Sequence, residues 1–188
     1  MKTLRLVALL AVVSILTGCA VAVVGGAAAG GALVGADRRT VGTQTEHQGI
    51  ELKTANRIGS KYPDAHINVT SFNRMVLLTG ETLTKESREE MVKIARAVEN
   101  VRGVYDEVAI VGNSSLSART NDLLITSKVK ARFVDAGKFS AVHVKVVTES
   151  GVVYLLGLVT RKEADEATEI ARTTSGVQKV VRLFEFID

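Results

Sequence analysis

One pattern occurs twice in this chain at a separation of 77 residues, and the duplication constrains the fold more than any single motif does. Val76-Leu77-Leu78-Thr79-Gly80 corresponds to Val153-Tyr154-Leu155-Leu156-Gly157. Further on, Ile94-Ala95-Arg96 corresponds to Ile170-Ala171-Arg172, and Val101 with Val104 to Val177 with Val180, so the offset drops to 76 inside the intervening charged stretch. A chain built this way holds two small units of about 65 residues with one common architecture.

Each copy reads as helix, strand, strand, helix, strand. Residues 50 to 60 and 122 to 134 carry a helical pattern, 66 to 71 and 142 to 148 alternate apolar and polar residues, and 74 to 80 and 152 to 158 complete a hairpin. The second helix covers 84 to 100 and 161 to 175, with Met91, Ile94, Ala95 and Val98 on one face in the first copy and Ala164, Ala167, Ile170 and Ala171 on the matching face in the second. Thr84 and Thr160 stand at its start with acids in the following turn, as a helix N-terminus favours. Asn100 and Gly176 stand at its end, the two residue types that most readily adopt a left-handed conformation. A last strand covers 104 to 111 and 180 to 187. The fold class is α+β: two tandem α-β-β-α-β domains, each a three-stranded sheet with two helices on one face.

The beginning of the chain has a different composition. Of the first 36 residues 25 are apolar, six are Gly and none is acidic. Lys2 and Arg5 precede an apolar stretch from Leu6 to Ile15, interrupted only by Ser14, and Leu16-Thr17-Gly18-Cys19 follows. That order is a secretory signal, too short in its apolar part to span about 30 Å of hydrocarbon as a helix. The tetrapeptide resembles the bacterial lipobox, which implies cleavage before Cys19 and acylation of Cys19. Several acyl chains on one residue anchor durably where one would bind reversibly. Ala20 at the next position implies sorting to the outer membrane, facing the periplasm. Residues 20 to 36 contain two Gly-x-x-x-Gly spacings but read as a small-residue tether. The expected organisation is a signal over 1 to 18, a lipidated tether over 19 to 45, a first domain over 46 to 114 and a second over 115 to 188.

With strand-ending Gly80 and Gly157, an Ala in each second helix and the Gly176-Val177-x-x-Val180 run, the repeat resembles the BON domain of bacterial periplasmic and osmotic-stress proteins. Together with the lipobox, the Asp37-Arg38-Arg39-Thr40-Val41-Gly42-Thr43-Gln44 segment and Asn121-Asp122, the whole chain is similar to dual-BON outer-membrane lipoproteins. The resemblance implies a role in envelope integrity and at the division site, and binding of anionic phospholipid through the first helix of the second domain. Members of that family commonly carry Trp where this chain has Leu124.

The side chains offer little for catalysis. A single Cys excludes a disulfide framework and a four-Cys zinc site. The three His are His47, His66 and His143; the last two fall at equivalent strand positions and are expected on an exposed sheet face rather than as ligands or bases. No nucleophile stands beside a His and no phosphate-binding Gly loop is present. The reading is a non-enzymatic protein with no cofactor or metal.

Charge is more informative. Residues 37 to 118 hold 11 basic and 11 acidic side chains, and residues 119 to 188 hold 11 and nine. The surplus concentrates between Asp122 and Asp135, where Lys128, Lys130 and Arg132 occur without an acid. Ile125, Val129 and Phe133 share the core-facing stripe of that helix, and Leu123 and Leu124 fall outside it. The expected lipid-binding set is Leu124, Lys128, Val129, Lys130 and Arg132, with Leu124 inserting and the cations meeting headgroup phosphates. The partner expected is anionic phospholipid, phosphatidylglycerol or cardiolipin, with the outer membrane held through acylated Cys19. The alternative is a periplasmic adaptor for outer-membrane assembly or cell-wall remodelling proteins; nucleic acid is not expected.

Overall fold

The structure, a computed structural model, describes residues 41 to 188. Cys19, its signal and the tether up to residue 40 lie outside the described residues. The first domain comprises α1 (Val41–Lys61), β1 (His66–Phe72), β2 (Met75–Thr82), α2 (Lys85–Arg96) and β3 (Gly103–Ile110). The second comprises α3 (Leu116–Ala136), a 3-10 turn (Ala141–His143), β4 (Val144–Glu149), β5 (Val152–Val159), α4 (Arg161–Arg172) and β6 (Lys179–Phe186).

Each domain forms one sheet in chain order, β1-β2-β3 and β4-β5-β6. The first two strands pair antiparallel, with Ile67 opposite Gly80 and Val144 opposite Gly157. The last two pair parallel, with Val76 beside Val104 and Val153 beside Val180. A parallel neighbour requires a crossover, and α2 and α4 supply it. Both helices start at the expected threonines: Thr84 Oγ1 accepts from Ser87 N at 3.1 Å and Thr160 Oγ1 from Glu163 N at 3.2 Å. Glu163 closes a capping box by accepting from Thr160 N at 2.9 Å. The helices stop earlier than expected, at Arg96 and Arg172. A further turn then leads to Asn100 at φ 66° and Gly176 at φ 97°, both left-handed as their residue types foretell.

The central strands explain their unbroken apolar sequences. In β2, Val76 and Leu78 pack under the helices with Ile50, Ile58, Met91 and Ala95. In β5, Val153 and Leu155 do the same with Ile125, Val129, Phe133 and Ala167. The alternate residues face the other way: Leu77 with Phe72 and Leu156 with Tyr154 form a third core shared by the two domains. The sheets therefore pack face to face with the helices outside, and both faces of β2 and β5 are buried.

Gly80 and Gly157 have a steric reason. A Cβ at Gly80, where φ is +111°, would lie 2.0 Å from His66 O, and one at Gly157 would lie 2.6 Å from His143 O.

The first helix of each domain is longer than its sequence pattern. α1 begins at Val41 rather than residue 50, and α3 begins at Leu116 rather than residue 122. Ser115 caps α3, its Oγ accepting from Ala118 N at 3.2 Å, and Gly137 at φ 57° ends it. The early turns of α3 escape a search for core-facing periodicity because Leu116 is 78% exposed.

Candidate functional site

α3 has two apolar faces. Ile125, Val129 and Phe133 are at most 1% exposed and form the core face. Asp122, also buried, accepts from Ser150 N at 2.8 Å and Gly151 N at 2.9 Å and so holds the left-handed turn between β4 and β5. On the opposite face Leu116, Leu123, Ser127 and Val134 fall within about 40° of one another at 100° per residue, a line about 27 Å long. Leu116, Leu123 and Val134 on that line are exposed at 78%, 69% and 67%. Leu124, 55% exposed, stands beside it. Lys130 flanks the line on one side and Lys128 on the other, both exposed and without an ion pair among the described residues.

Two of the five residues expected to meet lipid are placed elsewhere by the fold. Val129 is fully buried, because it lies between Ile125 and Phe133 on the core stripe. Arg132 reaches the C-terminus of α4: its Nη1 donates to Ile170 O at 2.9 Å and to Thr174 Oγ1 at 2.8 Å, and its Nη2 donates to Thr173 Oγ1 at 3.1 Å. A guanidinium there satisfies helix-end carbonyls and opposes the negative end of the helix dipole. Arg132 is a clamp between two helices. Leu124, Lys128 and Lys130 remain together on the outer surface, joined by Leu123, Leu116 and Val134. The last two were missed because Leu116 precedes the recognised helix and Val134 lies at its end.

The helix in the corresponding place of the first domain carries a different outer surface, in which Leu52 is 63% exposed and Lys53, at the place of Lys128, lies 3.9 Å from Glu99. Ile50, Thr54 and Ile58 of α1 are buried like Ile125, Val129 and Phe133, an offset of 75. By that offset Gly49 stands where Leu124 does, and Ala55 where Lys130 does.

The histidines correct a second expectation. The sheet face carrying His66 is covered by the other domain, so the His66 side chain is only 18% exposed, with Nδ1 2.9 Å from Glu81 Oε2. His143 lies in the 3-10 turn ahead of β4, with Nδ1 3.5 Å from Glu163 Oε1. Neither occupies an exposed sheet face.

No helix among the described residues is long and apolar enough to cross a membrane. The model of the BON domain matches this sequence twice, over residues 50–112 and 121–188. The outer membrane lipoprotein DolP of Haemophilus influenzae is 35% identical over 187 residues, 98% of this chain and 96% of that protein. The 21 kDa hemolysin of Actinobacillus pleuropneumoniae is 30% identical over 80% of this chain and 79% of its own length. The osmotically-inducible protein Y of Escherichia coli is 33% identical over 61% of this chain and 58% of its own. Two copies of one sheet-and-helix unit, each matched by the same family and set in a chain similar throughout to an outer-membrane lipoprotein, place the protein in the BON domain family as a dual-domain outer-membrane lipoprotein.

Proposed function

We propose that this lipoprotein is non-enzymatic, is anchored through acylated Cys19, and binds anionic phospholipid with the outer face of α3, in support of envelope integrity and division-site function. The observation that carries the reading is the exposed Leu123-Leu124 pair beside Lys128 and Lys130, two lysines without an ion pair among the described residues. Apolar side chains in the headgroup region and cations near its phosphates are the two components of interfacial binding. Fully burying a leucine is worth about 1.5–3 kcal/mol, and a lysine near an anionic surface about 1 kcal/mol. Partial insertion of the leucines with two lysines amounts to roughly 4 kcal/mol, the scale of a millimolar dissociation constant. Such a contact is weak for a free protein but effective for a domain already held at the membrane by acyl chains, because tethering raises its local concentration. Phosphatidylglycerol and cardiolipin supply the required charge.

Vesicle sedimentation of a chain lacking residues 1 to 19 tests this. Phosphatidylglycerol vesicles are expected to retain the protein better than phosphatidylcholine vesicles, and Leu124→Ala combined with Lys128→Glu to abolish the difference. Equal retention on both lipids, or an unchanged difference in the double variant, refutes the reading.

A further inference from the structure

A cleft between the domains, lined by residues of β1, β4 and α3, holds a second cluster. Glu81 on β2 is 2% exposed and Glu149 at the end of β4 is 7% exposed. Glu81 Oε2 faces His66 Nδ1 at 2.9 Å and accepts from Ser114 N at 3.3 Å and Ser114 Oγ at 3.2 Å. Glu149 Oε2 accepts from Asn68 Nδ2 at 2.8 Å. Neither carboxylate pairs with a lysine or arginine among the described residues. Arg119 borders the cleft but its Nε donates to Ser114 Oγ at 3.1 Å. Ligand atoms of His66, Glu81 and Glu149 lie within 4.8 Å of one another, beside a cavity of about 220 Å³ lined in part by His66 and Glu149. Buried carboxylates that lack a cationic side chain are stabilised by a bound cation.

The repeat gives an independent reason to separate this cluster from the ordinary domain fold. At an offset of 77, His66 corresponds to His143, but Glu81 corresponds to Leu158 and Glu149 to Phe72. The carboxylates thus occupy positions where the copies differ, one from each domain, and they converge only because the sheets pack face to face. We propose that His66, Glu81 and Glu149 form a divalent transition-metal site, zinc being the best fit, that bridges the two domains. One imidazole and two carboxylates, with a further position open to water from the cavity, suit zinc, whereas magnesium and calcium favour oxygen ligands alone. Tetrahedral zinc bonds of about 2.0–2.2 Å set their donors roughly 3.3–3.6 Å apart, so the 2.9 Å His66–Glu81 contact would open and give way to metal bonds while any wider separation, at most 4.8 Å, would close, movements within the reach of glutamate side chains.

The test uses the full chain in detergent, stripped with a chelator and titrated with zinc chloride by calorimetry, with melting followed in parallel. One zinc ion binds per chain and raises the melting temperature, and a hundredfold excess of magnesium chloride does not displace it. Glu149→Gln keeps an acceptor for Asn68 but weakens zinc binding by more than about tenfold, a scale on which even outer-shell partners act, and removes the thermal shift. His66→Asn does the same if the glutamine variant fails to fold. His143→Asn, the same residue type outside the cluster, leaves binding unchanged. Absence of saturable binding, displacement by magnesium, unchanged zinc affinity in both cluster variants, or equal loss in His143→Asn overturns the proposal. None of these outcomes depends on phospholipid.

Discussion

Lys145 Nζ lies 2.7 Å from Glu51 Oε1, joining the first strand of the second sheet to the first helix of the other domain. Lys145 is the repeat equivalent of Asn68, 77 residues earlier, and Asn68 crosses the same boundary in the opposite direction to reach Glu149. Equivalent positions thus carry polar contacts outward from each sheet to the other domain. Around them, Arg102 Nη1 pairs with Glu185 at 2.9 Å and Asn73 Nδ2 donates to the same carboxylate at 2.9 Å. The apolar core of Phe72, Leu77, Tyr154 and Leu156 fills the space between.

Glu51 does more than pair with Lys145: the same oxygen accepts from the backbone N of fully buried Ser71 at 2.7 Å. Glu51→Ala leaves that N–H without its acceptor and is expected to destabilise the chain by about 1–3 kcal/mol. Lys145→Ala leaves the Ser71 bond in place and should cost less than about 1 kcal/mol, as a partly exposed ion pair does. Urea denaturation of the two variants checks the order; a larger loss for Lys145→Ala would be contrary to it.

The basic residues of α3 are expected to divide by role. Arg132→Ala removes a charged donor from the end of α4 and should cost about 1.5–3 kcal/mol of stability. Lys128→Glu with Lys130→Glu should change stability by less than about 0.5 kcal/mol, as surface substitutions do, while eliminating retention on phosphatidylglycerol vesicles. Thermal unfolding and vesicle sedimentation on the same preparations separate the two effects.

Gly80→Ala puts a Cβ 2.0 Å from the backbone oxygen of His66 and demands a side chain at φ +111°. The β1-β2 pair must separate locally to accommodate it. Destabilisation of more than about 3 kcal/mol is expected from combined strain and lost packing. Gly59→Ala, in α1 with nothing near its Cβ, should instead be neutral or stabilising by up to about 1 kcal/mol. Melting temperatures of the two variants should shift in these opposite directions.

Tyr154 gives an alkaline signature. Burial in the core between the sheets pushes its phenol up from the ordinary value, and the Glu107 carboxylate, 3.5 Å from its hydroxyl, pushes in the same direction. The folded state therefore holds this proton more tightly than the unfolded chain, whose tyrosine titrates near about 10. The associated stability is fully present below pH ~10 and is lost as pH rises above it, by up to about 1.4 kcal/mol per pH unit. Tyr154→Phe should flatten that decline in urea titrations between pH 9 and 11.5; an unaltered slope would assign the decline to other groups.

The repeat, the order of elements along the chain and the helix faces were legible because each depends on neighbours close in sequence. Thr84 and Thr160 as caps, Asn100 and Gly176 as left-handed residues, and Ile125, Val129 and Phe133 as one buried stripe all follow from local geometry. The exposed Leu123-Leu124 pair was legible for the same reason, since a helical wheel needs no partner. The wheel failed for Arg132, whose position at the flank says nothing of the helix end it meets 38 residues later. It also failed for His66, whose strand alternation correctly turns it from the helices but cannot reveal what covers that side, and for His143, which sits in a 3-10 turn beside Glu163 of α4 rather than in a strand.

By itself, the sequence determined two copies of one α-β-β-α-β unit and a helix with an apolar, lysine-flanked outer face, because periodicity, caps and turn residues act over a few positions. Tertiary structure alone decided that the two sheets face each other, that Arg132 clamps a helix end, and that Glu81 and Glu149 lie near one His from different stretches of chain. The physical reason is that a sheet face with mixed apolar and polar residues suits either water or another sheet. Only the complementary face of the second domain, with Tyr154 and Leu156 meeting Phe72 and Leu77, selects between them.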